Sequence, residues 1–201
     1  MFNVKEFWNT RYRNNWRGSG EGSRGNLAIF KAWLVNSLIT EKGIRSVVDL
    51  GCGDGEIAGL IDVRTYTGVD ISPAAVELCN NRFATRSRRH FQTYEQTVPY
   101  AELALSLDVL YHILDDDEYL LYLTTLFSAA LDYVIIYSCN FDGAERNHIR
   151  PRKFTDDIPS EWGLELHLPN LYPNESWSEF FIYKRKLSTF PRKKPPLLGT
   201  G

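Results

Sequence analysis

A glycine run set between two acids carries the clearest chemistry in this sequence. VVDLGCGDGEIAG occupies residues 47–59, with Asp49 two residues ahead of Gly51 and Asp70 lying 21 residues beyond Asp49. The run follows a short β-branched stretch and leads into a helical one. At such a junction glycines let the backbone approach a ligand, and the free amides opening the helix point at it. Asp49 would repel a pyrophosphate but suits an ammonium group. Asp70 closes a second strand, Tyr66 to Asp70, where one carboxylate can grip two ribose hydroxyls. Asp49, Gly51, Cys52, Gly53, Asp70 and the adjoining Ile71 therefore describe a site for an adenosine ligand with a cationic amino-acid arm.

A second glycine match, Gly20-Glu-Gly22-Ser-Arg-Gly25, lies within GSGEGSRGN at residues 18–26. The residues ahead of it, Arg11 to Arg17, are polar and aromatic with no strand pattern, so the context of a nucleotide turn is missing. Glycines also give a loop freedom to close over a site. The expectation is a lid, with Tyr12 and Trp16 as aromatic cover over cofactor or acceptor; an unstructured arm is the alternative.

Two histidines are candidate bases. His112 follows the fourth strand, whose carboxyl end faces the same crevice as Gly51 and Asp70, and imidazole titrates near working pH. His148 sits in HIRPRKF, residues 148–154, where Arg150 and Arg152 are candidate contacts for an anionic group on an acceptor. Tyr111 is a further candidate acceptor contact. Asp115-Asp-Asp-Glu118 has the oxygen ligands magnesium or calcium would take, but acids opening a helix more simply cap it and match its dipole. No metal is expected.

The elements that must position these residues alternate. Leu27, Phe30, Leu34 and Leu38 share one helical face, with Asn26 as a possible cap and Gly43 beyond the end. Strands follow at Arg45 to Leu50 and Tyr66 to Asp70. Ser72-Pro73 opens a helix running to about Ala84. Further strands are expected near His90 to Tyr94, Ala104 to Val109 and Tyr133 to Tyr137, with a helix from Asp115 between the last two. This rhythm implies an α/β fold: a doubly wound, mostly parallel sheet covered on both faces, with ligands at the carboxyl ends of the strands. Leu164 to Leu168 and Ser178 to Tyr183 follow one another without a helix, which gives an antiparallel C-terminal edge. The domain spans 26–186, after an N-terminal arm over 1–25 and before a proline-rich, basic, flexible tail over 187–201.

The 201 residues, 43% hydrophobic, suffice for one core, and a net charge of −2 gives no electrostatic footprint for DNA. Cys52, Cys79 and Cys139 are widely spaced without zinc-like pairing, which suits a reducing cytoplasm. There is no signal-peptide pattern, and no run approaches the roughly 18 apolar residues of a membrane span.

Asp49-Leu-Gly51-Cys-Gly53-Asp-Gly55, Gly68-Val-Asp70 and Ser106-Leu-Asp108-Val-Leu-Tyr-His112 together resemble the class I S-adenosylmethionine-dependent methyltransferases. The resemblance implies a Rossmann-like fold and S-adenosyl-L-methionine as cofactor. Gly51 and Gly53 would let the backbone pass its methionine portion, Asp49 would orient its amino group, Asp70 would hold its ribose, and Asp108 would close the site at the fourth strand. The family's acid at the adenine is replaced here by Phe91-Gln-Thr-Tyr-Glu-Gln96, leaving Gln92, Tyr94 or Glu95, with Tyr94 the candidate carried forward. The Pro-Pro-aromatic and Pro-Cys motifs of base-modifying relatives are absent. GSGEGSRG, LHLPNLYP and EFFIYKR resemble small bacterial methyltransferases of glycan and natural-product biosynthesis. The implied activity is methyl transfer to an oxygen or nitrogen of a small-molecule or glycan-linked acceptor. A catalytically silent cofactor-binding module and an RNA or protein methyltransferase stay open as alternatives, as does the oligomeric state.

Overall fold

The computed structural model describes residues 3–14 and 18–186. Trp16 and the tail over 187–201 lie outside the described residues. Seven strands form one sheet in the order β3-β2-β1-β4-β5-β7-β6. β1 (Ser46–Leu50), β2 (Thr65–Asp70), β3 (Arg89–Thr93), β4 (Ala101–Leu107) and β5 (Ala130–Ser138) are parallel; β6 (Trp162–Leu168) and β7 (Glu179–Arg185) add the antiparallel edge.

Strand periodicity sorts the core into two layers. Val47, Leu103, Leu105, Ile135, Phe180 and Ile182 pack with α2 (Gly25–Lys42) and α3 (Glu56–Leu60) on one face. Val48, Ala104, Val134, Ile136, Phe181 and Tyr183 pack with Leu123, Leu126 and Phe127 of α5 (Asp116–Ala129) on the other. The expected face of α2 is buried, and Gly43 ends the helix in the left-handed region; Arg24, not Asn26, occupies the N-cap position.

α4 (Pro73–Arg82) begins as read, Ser72 Oγ accepting from the Ala75 amide. β4 stops at Leu107, two residues short of expectation, because Asp108 adopts φ 60° and turns the chain out of the sheet. An additional helix, α1 (Val4–Arg13), lies where only an arm was expected. Asn9 anchors it: its Oδ1 accepts from the Ser72 hydroxyl at 3.2 Å and the Ala74 amide at 3.1 Å. No helix among the described residues is long and apolar enough to cross a membrane.

Asp115 caps α5, its Oδ1 accepting from the amides of Asp117 and Glu118 at 2.9 and 3.0 Å. Among the described residues, no three metal-ligating side chains converge. Asp115→Ala removes both cap bonds and is expected to cost about 1 kcal/mol; urea unfolding should show a lower midpoint with an unchanged slope.

Candidate functional site

β1 lies between β2 and β4, so the chain runs to opposite sides of it, and the carboxyl ends of these strands border a crevice. Asp49, Asp70 and Asp108 all stand at this edge. A cavity of about 670 Å³ occupies it, reached by Asp49, Gly51, Gly53, Ile71, Tyr94 and Asp108 on the sheet side and by Trp8, Arg11 and Tyr12 from α1.

The turn after β1 is built by left-handed glycines. Gly51 has φ 90°, and a Cβ there would meet Val109 at 2.3 Å. Gly53 has φ 57°, and a Cβ there would meet Ser19 Oγ at 2.1 Å and Tyr12 Oη at 3.0 Å. Cys52 lines the cavity, but its side chain packs under the turn toward Gly68 in the core.

The turn is tied down on both sides. Gly53 N–H donates to Asp70 Oδ2 at 2.9 Å, and the Ser72 amide donates to Asp70 Oδ1 at 2.9 Å. On the outer side the first glycine run packs directly on the second. Asp54 N–H donates to Ser19 Oγ at 3.0 Å, Ser19 N–H returns a bond to Asp54 Oδ2 at 3.1 Å, and Arg24 donates to the same oxygen at 2.5 Å. Tyr12 is buried and shares a 3.1 Å hydrogen bond with Ser19. It therefore packs on the glycine turn while also lining the cavity.

Two buried polar atoms test whether this cradle fits an adenosine ligand with a cationic arm. Asp49 Oδ2 accepts from the Tyr66 hydroxyl at 2.5 Å, while Oδ1 is buried with no hydrogen-bond partner. Tyr94 Oη is likewise buried without one. An unpaired carboxylate oxygen in a cavity wall is costly until a donor reaches it, and an ammonium group is such a donor. Tyr94 is also the member of the adenine trio that lines the cavity; Gln92 donates to the Thr97 carbonyl, and Glu95 pairs with Lys5. Burial raises the Asp49 carboxyl to about 6 against the Tyr66 hydroxyl bond, and raises Asp70 to about 6 against the amides that bond it.

The comparisons agree with this geometry. Residues 48–124 match a family model described as a methyltransferase domain. Among solved structures, the magnesium protoporphyrin IX methyltransferase of Synechocystis PCC 6803 with bound SAH has a TM-score of 0.67 at 16% identity, over 91% of this chain and 98% of that one. The N-methyltransferase NodS of Bradyrhizobium japonicum WM9, also with S-adenosyl-l-homocysteine, gives 0.70 at 12% identity, over 92% and 99%. The 1,6-didemethyltoxoflavin-N1-methyltransferase of Burkholderia thailandensis gives 0.65 at 18%, over 92% and 88%. A search of curated protein sequences finds no match. This chain carries a methyltransferase domain over residues 48–124, in the fold of S-adenosylmethionine-dependent methyltransferases.

The remaining candidates of the methyltransferase divide into two groups. His112 lines the cavity, its Nδ1 lying 3.0 Å from the His148 carbonyl, and its ring stacks on that of His148 at 5.2 Å and 12°. Trp8 meets His112 edge-on at 5.0 Å, and Phe7 stacks on His148 at 4.7 Å. The loop after β5 thus brings His148 back to the fourth strand. Tyr111 also lines the cavity and donates to Asp108 Oδ1 at 2.8 Å. Asp108 is enclosed by protein donors: Lys31, Tyr111 and Ser178 all reach its carboxylate.

Arg150 and Arg152 do not join this group. Both donate to the Leu114 carbonyl and to Asp116, Arg152 also to the Ile113 carbonyl, so their guanidinium groups brace the turn into α5 and leave no open anion site. The cation that does line the cavity is Arg11, with Nε donating to the Gly18 carbonyl at 2.8 Å and Cζ 5.4 Å from the centre of the Trp8 ring. Sequence reading missed Arg11 and Lys31. The available signal for Lys31 was a charge on the apolar face shared by Leu27, Leu34 and Leu38.

Two outcomes follow for binding. Asp70→Ala removes the acceptor that orients the turn and should weaken S-adenosylhomocysteine at least about tenfold by calorimetry, given about 1.5–3 kcal/mol per charge-assisted bond. A carboxyl raised from 3.8 to about 6 binds more protons folded than unfolded between those values. Its contribution to stability therefore declines as pH rises from about 4 to about 6. Affinity for the ammonium-bearing ligand should move the opposite way, rising up to about tenfold per pH unit below about 6 and levelling above it.

Proposed function

We propose that this methyltransferase acts on an oxygen or nitrogen nucleophile of a small-molecule acceptor, free or glycan-linked, with His112 as the base. Bound S-adenosylmethionine supplies a methyl group already activated by its sulfonium, so the protein's work is alignment, exclusion of water and handling of one proton. Asp49 Oδ1 meets the ammonium of the cofactor's amino-acid arm. Arg11, with which no carboxylate pairs among the described residues, takes the carboxylate of the same arm. Asp70 and Tyr94 hold the nucleoside end.

The observation that carries the reading is the His112 contact. A carbonyl oxygen only accepts, so the 3.0 Å bond to His148 requires the proton on Nδ1 and leaves the Nε2 lone pair for a substrate proton. Burial lowers the imidazole to about 4, which keeps it neutral at working pH. The 670 Å³ cavity also falls within the roughly 300–1,000 Å³ of small-ligand sites. Two of the structural neighbours are named for small-molecule acceptors, a magnesium porphyrin and 1,6-didemethyltoxoflavin.

Incubating the enzyme with methyl-labelled cofactor and fractionated cell extract should label small molecules. Label confined to RNA or protein overturns the acceptor class, and tight cofactor binding with no labelled product identifies a silent module. On a verified acceptor, His112→Ala should cut turnover by about 10² to 10⁴ while cofactor affinity stays nearly unchanged. Turnover within about threefold of the parent rejects the base. We further propose that α1 and the 18–25 segment act as the lid. Trypsin cleavage after Arg24 should slow when S-adenosylhomocysteine is added, and equal rates would exclude closure.

A further inference from the structure

Lys31 stands on the buried face of α2 with its side chain 1% exposed, and the acid it pairs with is Asp108. Its Nζ lies 4.9 Å from the centre of the Tyr137 ring. Asp108 takes Lys31 on Oδ2, and takes the hydroxyls of Tyr111 and Ser178 on Oδ1 at 2.8 and 3.0 Å. The first glycine run covers this carboxylate closely: a Cβ on Gly22 would lie 2.9 Å from Asp108 Oδ2. Asp108 also borders the cavity, together with Asp49 and Gly51.

A buried ion pair gives little net stability over a well-packed apolar pair, because both charges lose water. Lysine at this position of an otherwise apolar helix face thus has a weak stability rationale and a direct electrostatic effect. Without Lys31, Asp108 would be a carboxylate in the wall held only by the hydroxyls of Tyr111 and Ser178, in addition to Asp49 with its Tyr66 bond. In a site of low effective dielectric, such a charge within several Å changes affinity for a cation by about one order of magnitude or more.

Resting on the reading of this cavity as the cofactor site, we propose that Lys31 is a positioning residue that sets its charge. By neutralising Asp108 it keeps the wall from holding a sulfonium cation more tightly than the neutral thioether left after transfer. Interactions that favour the charged ground state over a transition state in which that charge is dispersing raise the barrier. The pair also holds Asp108 where the Tyr111 hydroxyl donates to it, and Tyr111 lines the cavity.

The test needs no acceptor and no turnover. S-adenosylmethionine and S-adenosylhomocysteine differ at sulfur by one methyl group and one positive charge, so the ratio of their affinities reads the charge of the wall. Calorimetric titration of both ligands into the parent, Lys31→Met, Asp108→Asn and the double variant gives four ratios. Lys31→Met should shift the ratio toward S-adenosylmethionine by at least about fivefold, Asp108→Asn should shift it the other way by a similar factor, and the double variant should return to within about twofold of the parent. A purely structural role weakens both ligands alike, so flat ratios overturn the proposal. If Lys31→Met fails to fold, Asp108→Asn against the double variant decides, since these two differ only in the Lys31 charge and neither contains the unpaired carboxylate. A parent that binds neither ligand refutes the cofactor site and this inference together; a parent that binds both with flat ratios refutes the inference alone.

Discussion

Three aspartates line one cavity, two of them buried, and the rest of the site is arranged around making that tolerable. Asp49 and Asp70 are among the most buried polar residues; burial is the main cost of ionising each, with Asp70 adding to that of Asp49 and Asp54 to that of Asp70. Burial of a charge is expensive unless it is hydrogen-bonded or paired. Each acid is compensated differently. Asp49 has the Tyr66 hydroxyl on one oxygen, Asp70 has backbone amides on both, and Asp108 has a full counter-charge in Lys31 with two hydroxyls. The differences assign roles. Asp49 alone keeps a buried oxygen without a partner, so a ligand cation gains most there, while Asp70 is spent largely on the shape of the turn.

The two glycine runs turn out to be one construction. Asp54, in the turn after β1, receives Ser19 and Arg24 from the N-terminal run, and Gly53 has no room for a Cβ because Ser19 and Tyr12 lie against it. Burial and that bonding to Arg24 and Ser19 act in opposite directions on the Asp54 carboxyl, with the net effect of lowering it. The first run therefore carries a phosphate-type fingerprint without the strand that would make it one. Its glycines serve close packing on a neighbour: Gly18 faces Asp54 at 2.1 Å from the position of an added Cβ, and Gly22 faces Asp108.

The parallel sheet, its antiparallel edge and the cofactor turn were legible because each leaves a local pattern: β-branched runs, glycines at a strand end, Ser72-Pro73 at a helix start. Misses arose where the decisive partner is distant in sequence. α1 has few apolar residues and is anchored by Asn9 on Ser72 and Ala74, 63 and 65 residues away. Arg150 and Arg152 read as free cations because Asp116, 34 and 36 residues away, could not be foreseen as their partner. Arg11, in a stretch that read as merely polar, gains meaning only once α1 folds over the cavity. Strand order placed His112 at the cavity, but its tautomer depends on a carbonyl 36 residues along.

The positive groups around the cavity obey one rule, which is that little uncompensated cationic charge stands in the donor wall. Lys31 is cancelled by Asp108. His112 and His148 are held below their ordinary range chiefly by burial, with Arg11 nearby lowering both further, so the stacked imidazoles stay neutral. Two protonated rings 5.2 Å apart would repel each other and the guanidinium together. Arg11 is the exception: it lines the cavity beside Gly18 and Gly20, and the proposed reading gives it the carboxylate of an amino-acid arm. A wall that carried further positive charge would oppose entry of a sulfonium, and one that carried unpaired negative charge would hold it too well. On the proposed reading, pairing Asp108 while leaving Asp49 open places attraction at the ammonium end of the arm, away from the atom that reacts, which is where binding energy does not add to the barrier.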